Sequence, residues 1–130
     1  MKLLLPFQLH KVGAGFPSPA TDYLEEDLDL NAHLIKNIPS TFLIRVQGKS
    51  MNTVGINDGD LLIVDRSLNP KKFSTVVANI NEELVVKNFV REKNQSFLTS
   101  GSKKSEDKIN LTENPEIFIW GVVTYVIHAL

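Results

Sequence analysis

Gly55-Ile56-Asn57-Asp58-Gly59-Asp60, running directly into Leu61-Leu62-Ile63-Val64-Asp65, sets the fold class of this chain. The first six residues have turn chemistry, and Asp58-Gly59 suits a backbone at positive φ. The next five are short, partly β-branched and nearly all apolar, as in a strand covered on both faces. Upstream, Phe42-Leu43-Ile44-Arg45-Val46 predicts a strand over 42–47, followed by Gly48-Lys49-Ser50-Met51 and one turn of helix at 51–54. Downstream, Asn69-Pro70-Lys71-Lys72 turns the chain before Thr75-Val76-Val77-Ala78-Asn79-Ile80. Asn81-Glu82-Glu83 then leads into Leu84-Val85-Val86-Lys87-Asn88-Phe89-Val90, so these two runs are expected to form a hairpin. Phe97-Leu98-Thr99 is a further strand, and the polar stretch 100–108 is expected to be a mobile connection. The last strand, 117–127, is too long to be flat, and Gly121 is its natural bend or bulge point. Seven short apolar runs joined by tight turns predict a mainly β fold.

Residues 1–20 form an expected arm and residues 21–130 the domain. In the arm Gly13 and Gly15 bracket Ala14, and Phe16-Pro17-Ser18-Pro19 resists helix. This composition predicts a segment draped over a body. Asp22, Glu25, Glu26, Asp27 and Asp29 follow. Asp29 is placed to cap a short helix carrying Leu30, Leu34 and Ile35, which Pro39 cannot continue. Leu24 and Leu28 share a four-residue spacing, so a helix starting at Asp22 is the alternative; the short one is preferred.

A chain of 130 residues with 42% hydrophobic content can build one core. It has no cysteine, which excludes thiolate nucleophiles, disulfides and cysteine-ligated zinc. A formal charge of -1 gives no reason to expect a protein that coats DNA by bulk electrostatics. The opening Met1-Lys2-Leu3-Leu4-Leu5-Pro6 falls short of an export signal, and no later run reaches membrane-spanning length. The expectation is a cytoplasmic protein without a membrane partner.

Ser50 and Lys87 carry the chemistry. A serine needs a base before it attacks an amide, and a lysine is a base only in its neutral form, which apolar surroundings favour. Strand alternation puts Lys87 on the face of Val85 and Phe89, with Val86 and Asn88 on the other. That placement suits a neutral amine better than a charged one. The plain reading is a serine in an ordinary turn and a lysine whose methylenes run over apolar neighbours to water.

Other candidates are weaker. His10, His33 and His128 lie at no metal-binding spacing, so neither a metal nor a cofactor is expected. A serine–histidine–aspartate triad would draw on His128 with Asp58, Asp60 or Asp65. Arg66, Lys71 and Lys72, like Lys103, Lys104 and Lys108, lack interleaved aromatics and read as solvated loops, not as a direct nucleic-acid surface. Phe118, Trp120 and Tyr125 fit a core or a subunit interface.

Several pieces in one order now carry a resemblance: Gly15-Phe16-Pro17-Ser18-Pro19-Ala20, Asp29-Leu30-Asn31, Gly48-Lys49-Ser50-Met51, the stretch from Gly55 to Asp65, Val86-Lys87 and Gly121-Val122-Val123. The chain resembles the UmuD-like polymerase accessory proteins within the LexA-like family of self-cleaving serine peptidases. The resemblance implies an irregular twisted β-sheet domain of the LexA and signal-peptidase type with a flexible N-terminal arm. It implies Ser50 as nucleophile, Lys87 as general base, the backbone N–H groups of Lys49 and Ser50 as oxyanion donors, and Ala14-Gly15 as the bond cut. It further implies a homodimer, activation by a RecA–single-stranded DNA filament, and partnership of the shortened product with a Y-family, UmuC-like polymerase subunit in SOS translesion synthesis. No sequence-specific DNA binding is implied, and no helix-turn-helix domain is expected ahead of the peptidase part. Lys49 stands where the best-known member carries an acidic residue, and the 100–110 region departs from the family pattern. The competing functions are a non-catalytic polymerase-binding subunit and a signal-peptidase-like enzyme acting in trans.

Overall fold

Asp29 ends one element and starts the next. The structure, a computed structural model, describes residues 2–9, 11–16, 25–100 and 108–130. The chain divides into two units, residues 1–36 and residues 37–130. In the first, β1 (Leu4–Gln8) pairs antiparallel with β2 (Glu25–Asp29), Leu4 opposite Asp29 and Gln8 opposite Glu25. Gln8 Nε2 donates to Glu25 Oε2 across the ladder at 2.9 Å. Asp29 then caps α1 (Leu30–Leu34), its Oδ1 accepting the Ala32 N–H at 3.3 Å. The preferred short helix therefore forms. The longer alternative does not, because Glu25–Asp29 is strand.

Strand pairing within residues 1–20 is absent from the sequence reading, for a physical reason. Leu4 and Leu5 are both exposed, so no alternation of buried and solvated positions marks the strand. Pro6 fits the strand because an isolated two-stranded ladder leaves an outer edge where a missing N–H costs nothing. The remainder of the arm motif, residues 17–20, lies outside the described residues, as do His10 and Lys103-Lys104.

In the second unit, β3 (Thr41–Arg45), β4 (Leu61–Asp65), β5 (Thr75–Ile80), β6 (Glu83–Glu92), β7 (Gln95–Thr99), β8 (Ile109–Asn110) and β9 (Phe118–Ile127) form one sheet in the order β3-β4-β9-β5-β6-β7-β8. Every neighbouring pair is antiparallel. The chain is thus mostly β, as its turn-and-strand pattern predicts. The β5–β6 turn holds Asn81 and Glu82 at φ 52° and 66°, and the β6–β7 turn holds Lys93 and Asn94 at 48° and 65°. Two central residues at positive φ match the right-handed twist of the strands they join.

Alternation along β5 divides the core. Val77 packs with Val46, Met51, Ile56, Leu62 and Val64, whereas its neighbours Val76 and Ala78 pack with Phe89, Leu98 and Val122. The first cluster lies beneath the Ser50 segment and the second beneath Lys87.

The long last strand does bend, but Gly121 is not the extra residue. Val77 pairs with Gly121 and Ala78 with Ile119, which leaves Trp120 bulged against β5. A second shift against β4, between Ile63 and Val64, leaves Thr124 unpaired in the same way. Gly121 serves clearance: a Cβ there would lie 2.6 Å from Val64 Cγ1. Trp120 packs against Phe42, ring centroids 5.3 Å apart, and the Arg66 guanidinium lies 4.4 Å from the indole centroid. Arg66 is therefore a stacking partner, not a purely solvated charge.

Candidate active site

The β3–β4 ladder runs one step past its last strand pair. Val46 N–H donates to Asp60 O and Gly59 N–H to Val46 O, each at 2.8 Å, and the residues between them bulge out as a loop. Gly48 enters it at φ +105°, its N–H bound to Asp58 Oδ1 at 2.8 Å. A 3-10 turn at Asn52–Val54 follows, and Gly55 closes it at φ +85°. Met51 and Ile56, each 3% exposed, drive into the core, and Ile56 N–H bonds back to Met51 O. Ser50 is thereby held at the surface by the burial of its neighbour.

Ser50 lines a cavity of about 260 Å³ whose other walls include Ile44, Gly48, Met51, Val77, Leu84, Val85 and Val86. The β6 wall is special. β5 covers one edge of β6 from Glu83 to Asn88, while β7 covers the other only from Asn88 to Glu92. Among the described residues, no strand occupies the second edge at Leu84–Lys87. A strand edge of this kind can pair with an extended peptide.

Lys87 follows the wall residues Val85 and Val86 directly. It stands opposite Val76, which is fully buried, and shares a face with Phe89, 3% exposed. The lysine is half-buried, and its Nζ donates to Ser100 Oγ at 3.0 Å. No hydrogen bond joins it to Ser50, and the lining of the Ser50 cavity stops at its neighbour Val86. Lys49 and Ser50, whose N–H groups are the expected oxyanion donors, sit in the exposed turn after Gly48, where Lys49 O accepts from Asn52 N–H at 3.2 Å. Ala14 and Gly15 lie in an exposed bend of the connection from β1 to β2, with Gly15 at φ +104°.

The three aspartates of the triad alternative hold structure. Asp60, 2% exposed, accepts the Asn57 N–H at 2.8 Å and lies 2.5 Å from His128 Nδ1. The Asn57 bond first, and then His128, hold its carboxyl below the usual carboxylate range. Burial pushes Asp65 upward, but hydrogen bonds from Asn37, Ser67 and Ser40 outweigh it and leave the carboxyl well below that range. Asp58 holds Gly48. Only Asp60 meets His128, and His128 does not line the Ser50 cavity.

Comparison with known proteins adds the family. The Peptidase S24-like family profile matches residues 6–124. The chain belongs to this family. It is 43% identical to protein ImpA of Salmonella typhimurium over 95% of this chain and 83% of that protein. It is 37% identical to protein MucA of Escherichia coli over 93% and 82%. The LexA repressor of Hahella chejuensis is 39% identical over 81% of this chain, which spans about half of the repressor's length.

In this S24-like chain, His128 meets one of the three aspartates that the sequence reading paired it with, Asp60, but away from the Ser50 cavity. One site feature escaped that reading. Ser100 was legible in principle: once β6 and β7 are a two-residue hairpin, their register sets Ser100 across from Lys87. Among the described residues, no group of three His, Asp or Glu gathers as a metal site, and no helix is long and apolar enough to cross a membrane.

Proposed function

We propose that this chain is a self-cleaving serine peptidase that cuts its own Ala14–Gly15 bond, with Ser50 as nucleophile and Lys87 as general base. The observation that carries this reading is the Ser50 cavity: one of its walls is a β6 edge that no strand among the described residues covers, and that edge runs on to the lysine. An extended arm segment docking on Leu84–Val86 would present its carbonyls to the Ser50 turn. Ser50 Oγ attacks the Ala14 carbonyl, Lys87 takes the hydroxyl proton, and the N–H groups of Lys49 and Ser50 bind the oxyanion. The ammonium returns a proton to the Gly15 amine as the C–N bond breaks, and water then frees the Ala14 carboxylate. A positive-φ glycine after the bond lets the backbone turn sharply there.

Residues 1–20 would then be the processed arm and residues 21–130 the peptidase domain. Likeness to ImpA, MucA and the LexA repressor supports an SOS-response role. In this reading the cytoplasmic, homodimeric product joins an error-prone Y-family polymerase, and a RecA–single-stranded DNA filament promotes cleavage by stabilising the docked arm.

Purified full-length protein incubated at alkaline pH, with sequencing of any new N-terminus, tests the reaction. A product starting at Gly15, absent from Ser50→Ala and Lys87→Ala, is expected. No product identifies a non-catalytic binding subunit. Cutting of added peptides by an intact chain identifies an enzyme acting in trans.

A further inference from the structure

A lysine side chain has four rotatable bonds, and one on an apolar face tends to run its amine out to water. To serve as a base beside a fixed serine, the amine has to be held. The β6–β7 ladder supplies the holder. Asn88 pairs with Thr99 and Phe89 with Leu98, so one more antiparallel step sets Lys87 opposite Ser100 on the same face of the sheet. The amine donates to Ser100 Oγ at 3.0 Å, and both residues are half-buried. Around them Val76 and Leu98 are fully buried and Phe89 nearly so. In surroundings this apolar, one hydroxyl oxygen is enough to select among lysine rotamers.

We propose that Ser100 is a positioning residue for Lys87. The inference rests on Lys87 acting as the base. A neutral amine has two N–H bonds and one lone pair. One N–H goes to Ser100 Oγ, which directs the side chain and leaves the lone pair for the Ser50 proton. When Ser50 Oγ bonds to the Ala14 carbonyl carbon, that proton moves to Nζ; it passes to the Gly15 nitrogen when the C–N bond breaks. Ser100 exchanges no proton. Its oxygen accepts from the amine and from the ammonium alike, so the side chain is held through both transfers.

Single-turnover self-cleavage of the full chain, followed by intact mass, tests this on wild type, Ser100→Ala, Ser100→Thr and Ser100→Val. Loss of the hydroxyl is expected to slow cleavage on the order of tenfold or more, since small misplacements of a reacting group are costly. Threonine keeps an oxygen in the same place and is expected to stay within about threefold of wild type, whereas valine, of the same shape without the hydroxyl, follows alanine. The threonine–valine comparison separates positioning from packing even if the alanine variant melts early. Alanine and valine variants as fast as wild type overturn the proposal. Faster cleavage also overturns it, because Ser100 would then compete with Ser50 for the amine, and so does a threonine variant as slow as valine. Failure of the underlying reading looks different: wild type itself would give no product at Gly15, or Lys87→Ala would still cut.

Discussion

Asp60 Oδ1 and His128 Nδ1 lie 2.5 Å apart and tie the segment after β9 to the turn that closes the Ser50 loop. The same carboxylate holds Asn57 N–H, and the Asp60 backbone holds Val46. One residue thus fixes both ends of the loop that presents the nucleophile. His128→Ala is expected to leave the fold intact but to slow self-cleavage by about tenfold, because a displacement on the order of 1 Å at a reacting group costs up to ~10²-fold. Equal rates for the variant and wild type would show that the loop is held without the histidine.

Acid should unfold the protein through Asp60 and Asp65. Both carboxyls are held below their ordinary value of 3.8 in the folded chain. A depressed folded value means stabilisation that is complete above the unfolded value and is lost as pH falls toward the folded one. Urea midpoints are therefore expected to fall steadily below about pH 4. Asp65→Asn should flatten that fall and lower stability at neutral pH by about 1–3 kcal/mol, since it weakens a carboxylate that accepts from Asn37, Ser40 and Ser67.

Gly121→Ala tests the close approach of β9 to β4 at Val64. The new methyl would meet Val64 Cγ1 at 2.6 Å, and Val64 is fully buried with nowhere to move. A loss of about 1–3 kcal/mol in urea unfolding is expected. Adding Val64→Ala should cost less in the Gly121→Ala background than in wild type, a coupling that a double-mutant cycle reads directly.

Gly15→Val probes the scissile bend. At φ +104° a β-branched side chain is strained even though nothing crowds the position. Self-cleavage is expected to fall by more than about tenfold with an unchanged melting temperature, a split that locates the effect in the arm's backbone path. Normal cleavage by this variant would remove the glycine from the mechanism.

Much of the fold was legible locally. Leu61–Asp65 and Thr75–Ile80 form the strands their composition predicts, and Asp29 caps the short helix. These segments carry their own instructions: β-branched runs, turn residues and a capping carboxylate act over a few positions. β1 and β2 were not legible, because their exposed, acidic or proline-containing sequences gain order only from each other. The bulge at Trp120 was misplaced by one residue for a similar reason, since a bulge is a mismatch between two strands and cannot be read from one.

The same boundary runs through the site. Sequence alone determined that Ser50 stands in Gly48-Lys49-Ser50-Met51 just after an apolar strand and that Lys87 lies on an apolar face, because both depend on neighbours within the same short segment. Tertiary structure alone decided that the amine rests on Ser100, which of three aspartates His128 reaches, and that no strand among the described residues covers the β6 edge beside Ser50. Each of those depends on how far a neighbouring strand extends and where its register stops, and such lengths are set by packing between segments, not within them.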